Sequence, residues 1–135
     1  MKRAKPESYE MEFLFRALAD RTRLRLLNLM GDDEVCVCFL VEALKLTQPK
    51  ISRHLAYLRR AGIVASRRDG KWMHYRLTRP NDSYAAGVLS AVRDWLVNDS
   101  AMRSDRGRLL RLCCSSTLPA PLKKAPKPPS IVTAY

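Results

Sequence analysis

Between Glu34 and Gly62 the chain runs EVCVCFLVEALKLTQPKISRHLAYLRRAG, and this stretch leaves few folds open. Phe39 to Leu44 is a short apolar run of helical character. Lys45-Leu46-Thr47 is too short for anything but a tight connection. Beyond it, Ile51, Leu55 and Leu58 recur at the spacing of one helix face, which turns Lys50, Arg53, His54, Arg59 and Arg60 outward. Thr47 is a good N-cap, and Pro49 falls in the first turn, where a missing N–H costs nothing. Gly62 sits where a helix end favours a left-handed residue. Two helices joined by about three residues, the second basic on its outer face, predict a helix-turn-helix whose second helix reads DNA.

The flanks extend this unit. Ser8 can cap a helix running to about Ala19, with Met11, Leu14, Phe15 and Leu18 as its apolar stripe. Asp20 is an N-cap for a second helix, Arg21 to Met30, which Gly31 ends and whose inner face is Leu24, Leu27 and Met30. After Gly62, Ile63–Arg68 and Lys71–Leu77 have strand character around an Asp69-Gly70 turn. Met73, Tyr75 and Leu77 alternate with Trp72, His74 and Arg76, so one face packs on the helices and the other stays wet. Arg67, Arg68 and Lys71 cluster at the hairpin tip, placed to reach phosphate or the minor groove. The expected fold class is therefore mainly α with a β-hairpin wing: a winged helix-turn-helix. Tyr84 to about Asn98 is again helical, and its apolar face is generous for the end of a small domain. Tyr84, Val88, Leu89, Val92 and Trp95 on it predict a homodimer, since two-fold symmetry suits two DNA half-sites.

Three regions are expected: a DNA-binding and dimerisation domain over 1–98, a C-terminal extension with a cysteine pair over 99–118, and a Pro- and Lys-rich tail over 119–135. Asp99 to Leu112 is amphipathic enough for one more helix, weakened by Gly107. The tail composition predicts no buried surface. The 135 residues carry a net charge of +12, which favours a polyanionic partner, double-stranded DNA above all. No apolar run approaches the roughly 20 residues that span a bilayer, and no apolar segment follows the basic N-terminus. The expected location is the cytoplasm, with no membrane partner.

The four cysteines form a C-x-C, Cys36 and Cys38, and a C-C, Cys113 and Cys114. Neither spacing suggests a disulfide framework, so the thiols are expected free or metal-bound. Thiolates are soft ligands that suit zinc, copper(I) and trivalent arsenic or antimony. A helix start favours the thiolate of the first pair. On a regular helix, however, residues two apart point to nearly opposite sides, while two sulfurs on one ion stand within roughly 4 Å. Ligand binding is therefore expected to unwind the turn before Phe39. His54 and His74 read as surface or DNA-facing groups.

The segments LADRTRLRLLNLM, EVCVCFLVEALKLTQPKISRHLAYLRRAGIV and RRDGKWMHYRL, in this order, resemble the ArsR/SmtB family of metal-sensing repressors, and the C-V-C resembles its arsenical sub-type. The resemblance implies a homodimeric winged helix that leaves its operator when As(III) or Sb(III) binds, with no catalytic cofactor. It implies Cys36 and Cys38 as ligands, and Gln48, Lys50, Ser52, Arg53 and His54 facing DNA. The third cysteine of the arsenical motif is Val41 here, and the proline usual at the start of the second helix is Arg21. Histidines on the last helix, used by zinc-sensing members, are missing. Either Cys113 or Cys114 supplies the third ligand, from the same or the partner chain, or the site holds two thiols, which would suit a methylated arsenical.

Two rival classes share these residues. One keeps the repressor and makes the thiols a redox sensor closed by a disulfide. The other is a thiol oxidoreductase or arsenate reductase, but no acid–base partner lies near the pair in sequence, and a DNA-reading surface would have no use there.

Overall fold

The structure, a computed structural model, describes residues 10–115 and 118–129. Helix α1 (Met11–Leu18) and α2 (Arg21–Met30) lead into a two-residue strand β1 (Val35–Cys36). The helix-turn-helix follows as α3 (Val37–Leu44) and α4 (Gln48–Arg60). The hairpin is β2 (Val64–Asp69) and β3 (Trp72–Leu77), and α5 (Ser83–Asn98) and α6 (Ser100–Cys114) close the fold before a 3-10 turn, Ala120–Leu122. Ser8 lies outside the described residues.

Local chemistry sets these boundaries. The Asp20 carboxylate accepts from the backbone N–H of Arg23 at 3.0 Å, stopping α1 and starting α2. Lys45 takes a positive φ of 59° and turns α3 into the connection to α4, where the Thr47 hydroxyl accepts from the Lys50 N–H. The hairpin turn is shifted by one residue from the expected Asp69-Gly70. Asp69 pairs with Trp72, so Gly70 and Lys71 form the loop, with Gly70 at φ +61°.

One core joins the elements. Leu26 and Met30 of α2, Phe39 and Leu40 of α3, and Ile51, Leu55 and Leu58 of α4 are all buried. Leu14, Ala17 and Leu18 of α1 face this core, but Met11 and Phe15 are exposed, so half the expected α1 stripe is left uncovered.

The sheet has three antiparallel strands in the order β1-β3-β2. Sequence periodicity did not reveal β1, whose Val35 and Cys36 pair with Tyr75 and His74 of β3. It draws the residues before α3 onto the wing and shifts the helix start to Val37. The face expected to be wet is not uniformly so: His74 is buried.

Helix α6 runs unbroken through Gly107 and packs against α2, α3 and α5. Asp105, buried within it, accepts from Arg25 of α2 at 2.7 and 3.1 Å and from Arg108 at 3.0 Å. Arg108 also donates to the Ala43 carbonyl at the end of α3, and Asn28 of α2 donates to the Met102 carbonyl. The tail composition predicts no burial, yet Leu122, Ala125 and Pro128 are buried and the 3-10 turn lies against α3. A few apolar residues among prolines are enough to anchor a strap whose own backbone is stiff. Residues 130–135 lie outside the described residues. Among the described residues, no helix is long and apolar enough to cross a membrane.

Candidate nucleic-acid interface and thiol site

The first turns of α4 present Gln48, Lys50 and Arg53 to solvent, with Ser52 half-buried beside them. Ile51 and Leu55, one helix face away, anchor the helix in the core, which is why the polar set points out. Arg59 and Arg60 are exposed but committed. Arg59 donates to the Ser66 hydroxyl at 2.9 Å, and Arg60 lies 5.4 Å from the centre of the Phe13 ring.

His54 departs from the expectation of a DNA-facing group. Its Nδ1 lies 3.3 Å from Arg23 Nη1 and 3.8 Å from the Asp20 carboxylate, so it turns back to α2. Burial lowers its pKa, opposed by Asp20 and reinforced by Arg23, Lys50 and Arg53. Arg23 itself was not legible as a key residue. It donates to the Ala17 and Arg16 carbonyls at the end of α1 and stacks 4.2 Å from the Tyr57 ring centre, so one guanidinium ties α1, α2 and α4 together.

At the wing, Arg68 and Lys71 are exposed, Lys71 lying 5.0 Å from the Trp72 ring centre. Arg67 is already paired: it donates to both oxygens of Glu34, at 2.7 and 2.9 Å. These bonds hold the Glu34 carboxyl below its ordinary range despite partial burial. Arg67 lies on β2 and Glu34 just before β1, so the pair crosses the middle strand β3. His74 is opposite Arg67 and lies beneath that crossing, buried, with no partner for its Nε2.

The thiol pair also differs from expectation. Cys36 is extended, at φ −67° and ψ 140°, and caps α3 from outside, while Cys38 lies in the first helical turn. Because only one of them is helical, their side chains converge, with the sulfurs 3.0 Å apart. The expected conflict between helix and shared ligand does not arise, and no turn has to unwind. Cys36 accepts a hydrogen bond from the Cys38 thiol, which outweighs burial and, with backbone amides of Cys38, Val37 and Met73, lowers its pKa to about 7. Donating that same bond, together with burial and the Cys36 charge, pushes the Cys38 thiol up.

Cys113 and Cys114 do not join them. Cys113 is buried in α6, its thiol pushed up to about 11 by burial with Lys127 opposing, while Cys114 is exposed. Among the described residues, no three His, Cys, Asp or Glu side chains are gathered to hold a metal.

At α5 the expected dimer residues divide. Tyr84 and Trp95 are largely exposed, at 86% and 77%, with Val88 and Val92 half-buried. Leu89 belongs to the inner stripe with Ala85 and Leu96 and is buried in the protomer's own core.

Residues 20–66 match the family described as bacterial regulatory protein, arsR family. The chain is 44% identical over 116 residues to the arsenic resistance transcriptional regulator ArsR1 of Pseudomonas putida, covering 78% of this chain and 90% of that protein. It is 42% identical over 103 residues to the arsenical resistance operon repressor of Escherichia coli, covering 76% and 86%. A homodimeric winged helix-turn-helix DNA-binding domain from Mycobacterium bovis, a possible ArsR-family transcriptional regulator, superposes with a TM-score of 0.53 at 26% identity, covering 62% of this chain and 75% of that one.

Proposed function

The chain belongs to the ArsR family of bacterial regulatory proteins, DNA-binding transcriptional regulators rather than enzymes, and from that premise we propose a homodimeric repressor that leaves its operator when trivalent arsenic or antimony binds Cys36 and Cys38. The observation that carries this reading is the 3.0 Å approach of the two sulfurs at the joint between wing and helix-turn-helix. Cys36 belongs to β1, laced to the middle strand of the wing sheet. Cys38 belongs to α3, which the tight Lys45 turn couples to α4.

Two sulfurs on one centre, with bonds of about 2.3 Å, stand roughly 3.5–4 Å apart. Occupancy therefore spreads the pair slightly and drives the wing sheet against the helix pair. Wing and recognition helix must fit DNA together, so this relative shift breaks the fit without unfolding either element. Near-complete release requires about 5.5 kcal/mol of differential affinity, a demand suited to multidentate thiolate bonding.

In the DNA-bound state, Gln48, Lys50, Ser52 and Arg53 face base edges, and Arg68 and Lys71 face phosphates. The uncovered Met11 and Phe15 of α1 and the Tyr84, Val88 and Trp95 stripe of α5 form the dimer surface, which helical spacing sets out on one side of each helix. Cys113 and Cys114 take no part in the inducer site.

The test is fluorescence anisotropy on operator DNA with arsenite added. Wild type and the Cys113→Ser, Cys114→Ser double variant release DNA; Cys36→Ser and Cys38→Ser bind DNA and stay bound. Normal release by both single variants would remove the thiol pair from the switch. The sulfur separation and the Cys36 thiolate also suit a disulfide-forming redox sensor, for which peroxide rather than arsenite is the releasing agent.

A further inference from the structure

His74 is 4% exposed and its Nε2 has no hydrogen-bond partner. Buried polar atoms are almost always paired, so an orphan of this kind calls for a partner that arrives from outside. The register of the sheet indicates the chemistry of that partner. Cys36 and His74 are directly opposite on β1 and β3. Opposite residues of an antiparallel pair project to one face, with Cβ atoms roughly 4.5–5.5 Å apart. The Cys36 sulfur in turn lies 3.0 Å from that of Cys38. Two sulfurs and one imidazole nitrogen thus share one side of the β1–α3 joint, under the Glu34–Arg67 pair.

We propose that His74 Nε2 is the third donor of the thiol site, giving it two sulfurs and one nitrogen for a thiophilic centre such as arsenite. The proposal rests on the arsenite-release reading above and supplies the donor that reading leaves open. Position 41, where the arsenical motif resembled by this chain has its third cysteine, is Val41, and Cys113 is locked in α6. Imidazole is a borderline-soft ligand compatible with a thiolate set. In the tautomer protonated on Nδ1, Nε2 carries a free lone pair. Without ligand, no three donors among the described residues are gathered, so the imidazole closes on the pair as the ligand arrives.

The balance is straightforward. Arsenite arrives as As(OH)3. Two As–S bonds form and two As–O bonds break, each thiol proton leaving with a hydroxide as water. The Nε2 lone pair then makes the third bond as the last hydroxide departs. Arsenic remains trivalent throughout, so no oxidant or reductant is needed.

The test combines arsenite titration by calorimetry with 15N-histidine NMR on the full-length protein. In wild type the His74 Nε2 resonance shifts on arsenite addition, stoichiometrically with binding. His74→Leu removes an unpaired buried atom, keeps the fold and DNA binding, and weakens arsenite binding by about tenfold to a hundredfold, at least the cost of losing an outer-shell partner. Should the leucine variant fail to fold, the wild-type NMR titration decides alone. An unmoved Nε2 resonance, or a folded His74→Leu with wild-type affinity, overturns the proposal. If Cys36→Ser and Cys38→Ser then still abolish release, the thiol switch stands without His74. If both cysteine variants respond normally, the parent reading fails and this inference with it.

Discussion

Two neighbouring wing arginines, Arg67 and Arg68, should contribute differently to DNA binding. Arg67 spends both ends of its fork on Glu34, whereas Arg68 makes one 3.3 Å contact to the Gly70 carbonyl and is otherwise solvated. A phosphate competing for Arg67 must first break a bidentate charged pair, and doing so frees a carboxylate beside the DNA. Arg68 faces neither cost. Each phosphate neutralised contributes about 0.9 to the slope of log affinity against log salt, or roughly a three- to fourfold change between 50 and 200 mM. Arg68→Ala should therefore lower the slope by about that amount on operator and random DNA alike. Arg67→Ala should leave it nearly unchanged. Glu34→Gln releases Arg67, so it should steepen the slope by about 0.9, and Arg67→Ala made in that background should reverse the gain. Anisotropy across a salt series on all four variants measures this directly. If Arg67→Ala lowers the slope equally with Glu34 present or replaced, Arg67 reaches phosphate in the native complex and the competition argument is wrong.

Asp105→Asn should cost about 1–3 kcal/mol in urea unfolding, because it removes the charged acceptor shared by Arg25 and Arg108, while the partly exposed guanidinium groups recover some solvation. The thiol pair should lose one proton near pH 7, seen as thiolate absorbance near 240 nm in wild type and absent there in Cys36→Ser. The folded pKa of Cys36 lies below its ordinary value of 9.0, so its stabilisation is fully present above that value and is lost as pH falls through about 7. Arg53→Ala should cost on the order of 1–3 kcal/mol on operator and far less on random DNA, and equal losses would take Arg53 off the base edges. Tyr84→Asp with Trp95→Asp should give folded monomers by sedimentation and circular dichroism, whereas Leu89→Asp should unfold the protomer; a folded monomeric Leu89→Asp would place that side chain at the dimer surface instead.

Much of this architecture is local and therefore legible in the sequence. Asp20, Gly31, Thr47 and Gly62 mark helix ends through their own side chains or φ angles, and Ile51, Leu55 and Leu58 fix the phase of α4 by spacing alone. Phase is less informative where more than one apolar face exists. In α5, Leu89 and Trp95 both look suited to a partner, and only the packing of α2 and α6 decides that Leu89 turns inward. The tail shows the same limit. Its composition is that of a chain that buries nothing, but Leu122 finds a site against α3 that the sequence of the tail cannot describe.

The candidate site was legible in its residues and not in its geometry, and the reason lies in β1. Helical phasing applied from Cys36 onward places the two thiols on opposite sides. That phasing starts one residue too early, because Val35 and Cys36 are recruited as a strand by Tyr75 and His74, some forty positions later along the chain. A backbone pairing with a distant strand thus sets where α3 begins, and the start of α3 sets whether the sulfurs converge. Glu34, His74 and Arg67 become relevant through the same pairing, since each meets the thiol face only across the sheet. It follows that the wing is part of the inducer site as well as of the DNA surface. A substitution that loosens the β1–β3 ladder without touching a thiol should impair the response to arsenite together with DNA affinity, because the same two backbone segments hold both.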